Sequence, residues 1–492
     1  MTYTLPSQLT VHDVAAIAAG APIRVSQEAR RQIGEFYHLA NSIAETHTVY
    51  GRSTGVGANR HTTASSDSAA HGMNLLRSHA VDAGPAFDPA VTRAMLAVRL
   101  NQLLHPGSGV DVQLIDGLER MLATQSLPEV RRYGAIGTAD LPALAGTALA
   151  LTGERPTSGG GFEPIAAIGS DSALPFMSSN ALTLAGAALA VSRLEALADA
   201  GLAAFALSAT AVRANPEAFS PNAAVAIASP GAAGMAQRLA TLLGASHWAP
   251  ARIQDPFAFR GFLSAASVLA TAVNRLREAV EAPISISQEN PRFFADNDGA
   301  AAPGTAVHHG AFLVNWLAHE LDGTALALAQ LAPLTIARMR FMNDDAFTGL
   351  PRFLAPESGG TSGTMIIEYV AASGLGDIYA GAAPVSMHSA TLSCGVEEDA
   401  TFAPSALTKL ERAIDGFEVI VAAEILIAVR AARVAGDEST RPAPAVDSGL
   451  AELFAMARAL PSDLSDRDLR GDLETAVGLI SRFAAVVGSE RE

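Results

Sequence analysis

Several side chains in this 492-residue chain have the types and settings that chemistry needs. Tyr50 closes a helical stretch and opens a glycine-rich loop, VYGRSTGVGANR (49–60). A phenol titrates near ~10, so Tyr50 can act as a base at neutral pH only where helix N-termini or arginines supply positive potential. Without that, it is a packed tyrosine whose hydroxyl rests on the loop. Arg260 follows an Asp-Pro turn in IQDPFAFR, and its planar fork suits either a bidentate carboxylate contact or an intersubunit ion pair. Glu397, Glu398 and Asp399 are consecutive in CGVEEDATFA. Neighbouring carboxylates repel, so one of them can keep a proton and serve as a general acid; capping a helix N-terminus is the structural alternative. His79, in NLLRSHAV, and the His308-His309 pair can meet a polar ring or serve as satisfied core histidines. No one of these is specific.

Their order and spacing over nearly the whole chain are specific. Together with ESGGTSGTMII and VRLNQLLHPGSG, they resemble the histidine and phenylalanine ammonia-lyase family. The resemblance implies a mainly α fold with a long central helical bundle of the ammonia-lyase/fumarase-like type. It also implies a homotetramer whose active sites are shared between subunits. By that resemblance Tyr50 is the base that removes the β-proton, and Arg260 grips the substrate carboxylate. Glu398 lies near the amine or ring, Glu397 replaces a glutamine beside it, and His79 sits near the ring pocket.

The departures are as informative. In the family a Gly-Ala-Ser-Gly-Asp-Leu segment cyclises and dehydrates to the methylidene-imidazolone electrophile. Here the segment reads GAIGTADL (134–141), and only Thr138-Ala139 lie between Gly137 and Asp140. The serine hydroxyl that would be eliminated is missing, and the ring-closing nitrogen is displaced. The expectation is that the electrophile does not form and that no cofactor takes its place. Phe257 stands where a second catalytic tyrosine is expected, Ser178 or Asn180 occupies the space of an asparagine, and His308-His309 replace an Asn/Phe-His region. A methylated ammonium rests on aromatic faces rather than donating hydrogen bonds, and Phe257, Phe259 and Phe176 are candidates for such a wall. A quaternary ammonium also leaves without activation. These features resemble ergothionases, which imply elimination of trimethylamine from a histidine-betaine-type substrate such as ergothioneine. In this reading the substrate binders are Arg260, Phe257, Asn180, His308 and Glu397, and the catalytic groups are Tyr50, Glu398 and His79. The alternatives are another elimination, isomerisation or cyclisation on the same scaffold, or a non-catalytic binding subunit.

Bulk properties narrow the class. The net charge is −16 and Lys409 is the only lysine, so there is no basic tract for nucleic acid. The run 181–212 is apolar and long enough to span a bilayer, but Arg193, Glu195 and Asp199 near its middle argue for a buried helix instead. One cysteine, Cys394, rules out a disulfide framework, and no signal peptide is evident at the start. A cytoplasmic oligomer with an amino-acid-derived small-molecule substrate is expected. ADNDGA (295–300) lacks the remaining ligands of a calcium loop and His308-His309 lacks metal-ligand spacing, so no metal is expected.

Three regions are expected to position these groups: an N-terminal mixed domain with glycine loops over 1–180, a central bundle over 181–404, and C-terminal helices over 405–492. The pattern over 181–283 is helical, broken at Asn215-Pro216, Ser220-Pro221 and Ser229-Pro230. Helix is expected over 308–340, with a kink at Pro333. After a break at 356–364 comes a further helix, and a pair of helices at 404–435 and 446–488 flanks a linker at 439–446. Strand signals are sparse.

Overall fold

The computed structural model describes residues 2–159, 161–295, 304–355, 360–435, 444–446 and 448–488. Part of the linker (439–443), most of the ADNDGA stretch (296–300), residues 356–359 of the break and Gly160 lie outside the described residues. The architecture is mainly helical, and the described strands form three two-stranded sheets of three or four residues per strand. Two compact units emerge, each gathered from three stretches of chain. One comprises Met1–Ser192, Leu276–Leu321 and Val385–Leu407; the other comprises Arg193–Arg275, Asp322–Pro384 and Thr408–Glu492.

In the first unit, local sequence sets the helix starts. Thr10 caps Val11–Ala18 in a reciprocal capping box with Asp13, and Ser26 caps Gln27–Thr46. Asp88 caps Pro89–Leu103, with proline at the first turn, where its missing N–H costs nothing. The C-terminal half of Gln27–Thr46 packs Phe36, Ala40 and Ile43 against Val49 and Phe293. That cluster fixes the chain just before Tyr50.

In the second unit, the charges within the apolar run have partners. Asp199 pairs with Arg238, and Arg193 with Asp415 and Glu418. The helical stretch Ala173–Ala211, which ends in the helix Ala181–Ala211, has the length and composition of a membrane span, yet 72% of its most apolar window is buried inside the protein. A buried charge is tolerated when paired and hydrogen-bonded. Arg338 and Glu424, each 1% exposed, pair at 2.5 Å, with Ser208 also donating to Glu424. The expected breaks at Asn215 and Ser220 are N-caps followed by proline at the first turn of the next short helix.

Two element boundaries differ from expectation. The helix expected from 308 begins at Asn315 and runs to Met342 through Pro333, while His308 and His309 lie in extended chain before it. Their glycine neighbour and the 310–313 turn, closed by Leu313 N–H to the Gly310 carbonyl, displace the start. The helix expected over 446–488 is two, Gly449–Met456 and Arg470–Gly488, because Pro461 and the Asp463–Ser465 turn interrupt it.

Candidate active site

Tyr50 is set by the turn that follows Gln27–Thr46. Arg52 anchors this turn from beneath, donating to the carbonyls of Ala40, Gly109 and Asp171. Gly51 has φ +73°, and a Cβ there would lie 2.1 Å from Leu174 Cδ2, so only glycine fits. The loop then folds back. The N–H of Gly57 donates to the Tyr50 hydroxyl oxygen at 2.7 Å, and the N–H of Tyr50 donates to His308 Nε2 at 3.2 Å. An accepting Nε2 assigns the neutral His308 tautomer with its proton on Nδ1. Partial burial, with His309 beside it, keeps His308 below its usual value, so it is neutral at pH 7. Gly57 also has positive φ (+57°), and a Cβ there would come within 2.5 Å of Ser393 Oγ and 3.0 Å of Glu397 Oε1.

Facing Tyr50 is a cavity of about 660 Å³. Thr138, Ala139, Ser178, Asn290 and Phe312 line it, together with Arg60 and the carboxylate run Glu397–Asp399. The Thr138-Ala139 segment is held on all sides. Thr138 forms a β-bridge with Leu313, Thr401 Oγ1 donates to the Gly137 carbonyl at 3.1 Å, and the Asp140 N–H donates to the Ser179 carbonyl at 2.8 Å. Ala139 is buried with φ +73°, a conformation that costs a non-glycine residue about 1–2 kcal/mol. The carboxyl of Asp140 is fully buried and accepts from the Thr183 N–H at 2.8 Å and its hydroxyl at 2.9 Å. Burial pushes this group up to about 6, and the hydrogen bonds from Thr183 and Leu182 oppose the shift.

Four helices start around this segment. Asp140 immediately precedes Leu141–Leu151, and its carboxyl caps the first turn of Ala181–Ala211. Leu313, bridged to Thr138, lies just before Asn315–Met342, and the Phe402 N–H that binds the Ile136 carbonyl lies just before Ala403–Val434. Their positive ends favour negative charge on this side of the cavity. Burial nonetheless pushes the Tyr50 phenol above its usual value. The Gly57 N–H pulls it down, Glu397 pushes it up, and Arg60 pulls it down.

Of the residues singled out in the sequence, Tyr50, Thr138, Ala139, Ser178, Glu397, Glu398 and Asp399 line this cavity. His308 reaches its edge through Tyr50, and Asn180 through a hydrogen bond from its side-chain amide to the carbonyl of Phe312 at 2.9 Å. His79 is the last residue of Ser68–His79. Its Nδ1 lies 2.8 Å from the Leu75 carbonyl, and it is not among the lining residues. Phe257 and Arg260 belong to the second unit, where the guanidinium sits 4.1 Å from the Phe257 ring centroid. With its amide oxygen turned towards Arg260, Gln254 accepts from that guanidinium at 2.7 and 3.1 Å. Phe176 and Phe259 are core residues at 0% and 1% exposure, and among the described residues that line the cavity the aromatics are Tyr50 and Phe312. Sequence reasoning missed Arg60, Asn290 and Phe312. Arg60 ends the very stretch that contains Tyr50, but an exposed arginine after a turn carries no signal of its own.

A sequence model of the family described as aromatic amino acid lyase matches residues 9–458. The chain belongs to the aromatic amino acid lyase family. Among curated members it is 30% identical to the histidine ammonia-lyase of Gloeobacter violaceus, over 96% of this chain and 94% of that protein. It is 29% identical to the histidine ammonia-lyase of Sorangium cellulosum, over 98% of each. Among solved structures it is similar to the ergothioneine-degrading ergothionase from Treponema denticola in complex with desmethyl-ergothioneine sulfonic acid, with a TM-score of 0.87 and 24% identity, covering 98% of this chain and 99% of that one. A tyrosine aminomutase from Streptomyces globisporus matches with a TM-score of 0.89 and 21% identity, covering 100% and 99%. At these identities the structural likenesses establish the aromatic amino acid lyase fold, and the family makes this chain a lyase-type protein.

Proposed function

We propose that this family member is a carbon–nitrogen lyase that works without the methylidene-imidazolone group and eliminates trimethylamine from a histidine-betaine-type substrate such as ergothioneine. The observation that carries the reading is the Thr138-Ala139 pair on the cavity lining, where the family's cyclising tripeptide would stand. The residues present do not fit that group. No serine precedes a glycine here, the Gly137 carbonyl accepts from Thr401, and the Asp140 N–H is committed to Ser179. The leaving group must then depart unaided, which a quaternary ammonium does and a primary amine does not.

The chemistry follows from the cavity. The Tyr50 phenolate takes the β-proton, the C–H electron pair becomes the α,β double bond, and the C–N pair leaves with neutral trimethylamine. A conjugated acrylate remains, and Tyr50 returns its proton to solvent. Glu397, Glu398 and Asp399 offer a negative surface to the trimethylammonium group. Once bound there, that cation offsets the Glu397 charge that favours the protonated phenol. Glu398 and His308 engage the ring. The protein assembles as a cytoplasmic homotetramer, and Arg260 and Phe257 reach the site from a neighbouring subunit, Arg260 to grip the carboxylate. Exposed Ile366, Tyr369 and Tyr379 on Met365–Gly381, at 54%, 66% and 53%, support a face covered by another copy.

The test is incubation with ergothioneine and, separately, with the unthiolated betaine of histidine. Trimethylamine and a new conjugated-acrylate absorbance are expected from at least one. Release of neither product from either compound ends the assignment, and release of ammonia from histidine instead makes the protein an ordinary ammonia-lyase.

A further inference from the structure

The turn that carries Tyr50 ends at Arg60, the last residue of the VYGRSTGVGANR stretch, to which the sequence reading gave no role. Among the described residues that line the cavity, Arg60 is the only cationic side chain. Two charges of opposite sign converge on Gly57. Arg60 Nη1 lies 3.5 Å from the Gly57 carbonyl, a long contact, and Glu397 Oε1 lies 3.0 Å from the point a Cβ on Gly57 would occupy. Gly57 is also the residue whose N–H holds the Tyr50 oxygen at 2.7 Å. A cation and an anion therefore flank the donor of the hydrogen bond that fixes the phenol. Charges at such range move a phenol–phenolate balance in opposite directions.

We propose that Arg60 is a positioning residue for Tyr50, stabilising its phenolate against Glu397, which favours the phenol. This rests on the reading above only in taking Tyr50 as the base. Among the described residues of the same unit, the charged and titratable groups around Tyr50 are Arg52 and Arg60 in its own loop, His308 beside its amide, and Glu397, Glu398 and Asp399 in the facing loop. Arg52 is buried and committed to three carbonyls, and His308 is neutral at pH 7. Removing Arg60 thus leaves the described cavity lining of this chain with three carboxylates and no cationic side chain.

The experiment places a fluorinated tyrosine, more acidic than tyrosine itself, at position 50 of the full-length protein and follows its titration by fluorine NMR. Arg60→Ala is expected to raise the midpoint by about half a pH unit or more, the scale of one partly screened charge. Arg60→Lys should keep most of the parent value, and Glu397→Gln should lower it. The inference is overturned if the Arg60→Ala midpoint coincides with the parent, or if Arg60→Ala and Glu397→Gln move it in the same direction, as general loosening of the turn would. The readout needs no turnover. Opposed shifts without cleavage of either ergothioneine or the unthiolated betaine uphold the charge control and reject the betaine-lyase reading; cleavage of either with an unmoved midpoint does the reverse.

Discussion

The Gly57 N–H points at the Tyr50 hydroxyl oxygen from 2.7 Å. That oxygen is an acceptor in this bond, so the bond strengthens as the phenol loses its proton, and the same glycine has no room for a side chain. In the proposed mechanism this loop holds the Tyr50 phenolate at the edge of the cavity. Removing the hydroxyl tests this. Tyr50→Phe should lower the elimination rate by ~10²–10⁴, the usual worth of a positioned general base. Betaine affinity by calorimetry should change by only a few-fold and the melting temperature little, since a single hydrogen bond is lost. A variant that binds as before and still turns over at more than a tenth of the parent rate removes Tyr50 from the base role.

Burial holds the free-enzyme phenol above its usual value. The active species is the deprotonated one, so its fraction grows with pH throughout the neutral range. The kcat/KM for the betaine should therefore rise from pH 7 to 9 at about tenfold per pH unit, the slope of a single ionisation well below its midpoint. A profile that is flat or falling over that range points to a different base.

Asp140 gives a stability signature. Its folded value of about 6 lies above the ~3.9 of an unfolded aspartate, so between those values the folded chain holds a proton that the unfolded chain has released. Stability from this group therefore falls as pH rises from ~4 to ~6 and is level above that. Asp140→Asn should abolish the slope. The difference between parent and variant in denaturant melts should change across that window by on the order of 2 kcal/mol, one pKa unit being ~1.36 kcal/mol. Parallel curves would show that the carboxyl carries its charge in the fold without penalty.

If Arg260 reaches the site from a neighbouring subunit, two dead variants should rescue one another. Tyr50→Phe and Arg260→Ala, each inactive alone, should regain activity when co-expressed, to about a quarter of the parent sites for random equal mixing in a tetramer. No recovery in a confirmed mixed oligomer places Tyr50 and Arg260 of one chain in one site.

Much of this was legible in the sequence because it rests on local rules. Asn215 and Ser220 before prolines read as breaks in the helical run, and in the structure they cap the short helices that follow. The glycines after Tyr50 read as a tight loop, which Gly51 and Gly57 require. What was not readable depended on which neighbour a side chain meets. Phe176 and Phe259 are as apolar in a core as in a ligand wall, so their burial was not readable. His79 binds the Leu75 carbonyl of its own helix, a satisfied partner that sequence spacing does not distinguish from a ligand-facing one. His308 lies ahead of its helix because the Gly310–Leu313 turn intervenes, and Arg60 acquires its place only when the 392–399 loop folds against Gly57.

The most direct test of the central claim is the mass of the proteolytic fragment that spans Gly134–Leu141 in the purified, active protein. The unmodified sequence mass is predicted, with Thr138 and Ala139 intact and no absorbance beyond the ordinary aromatic bands. A fragment lighter by one or two waters, carrying a new near-ultraviolet band, would show that the segment does make its own electrophile and would contradict the account.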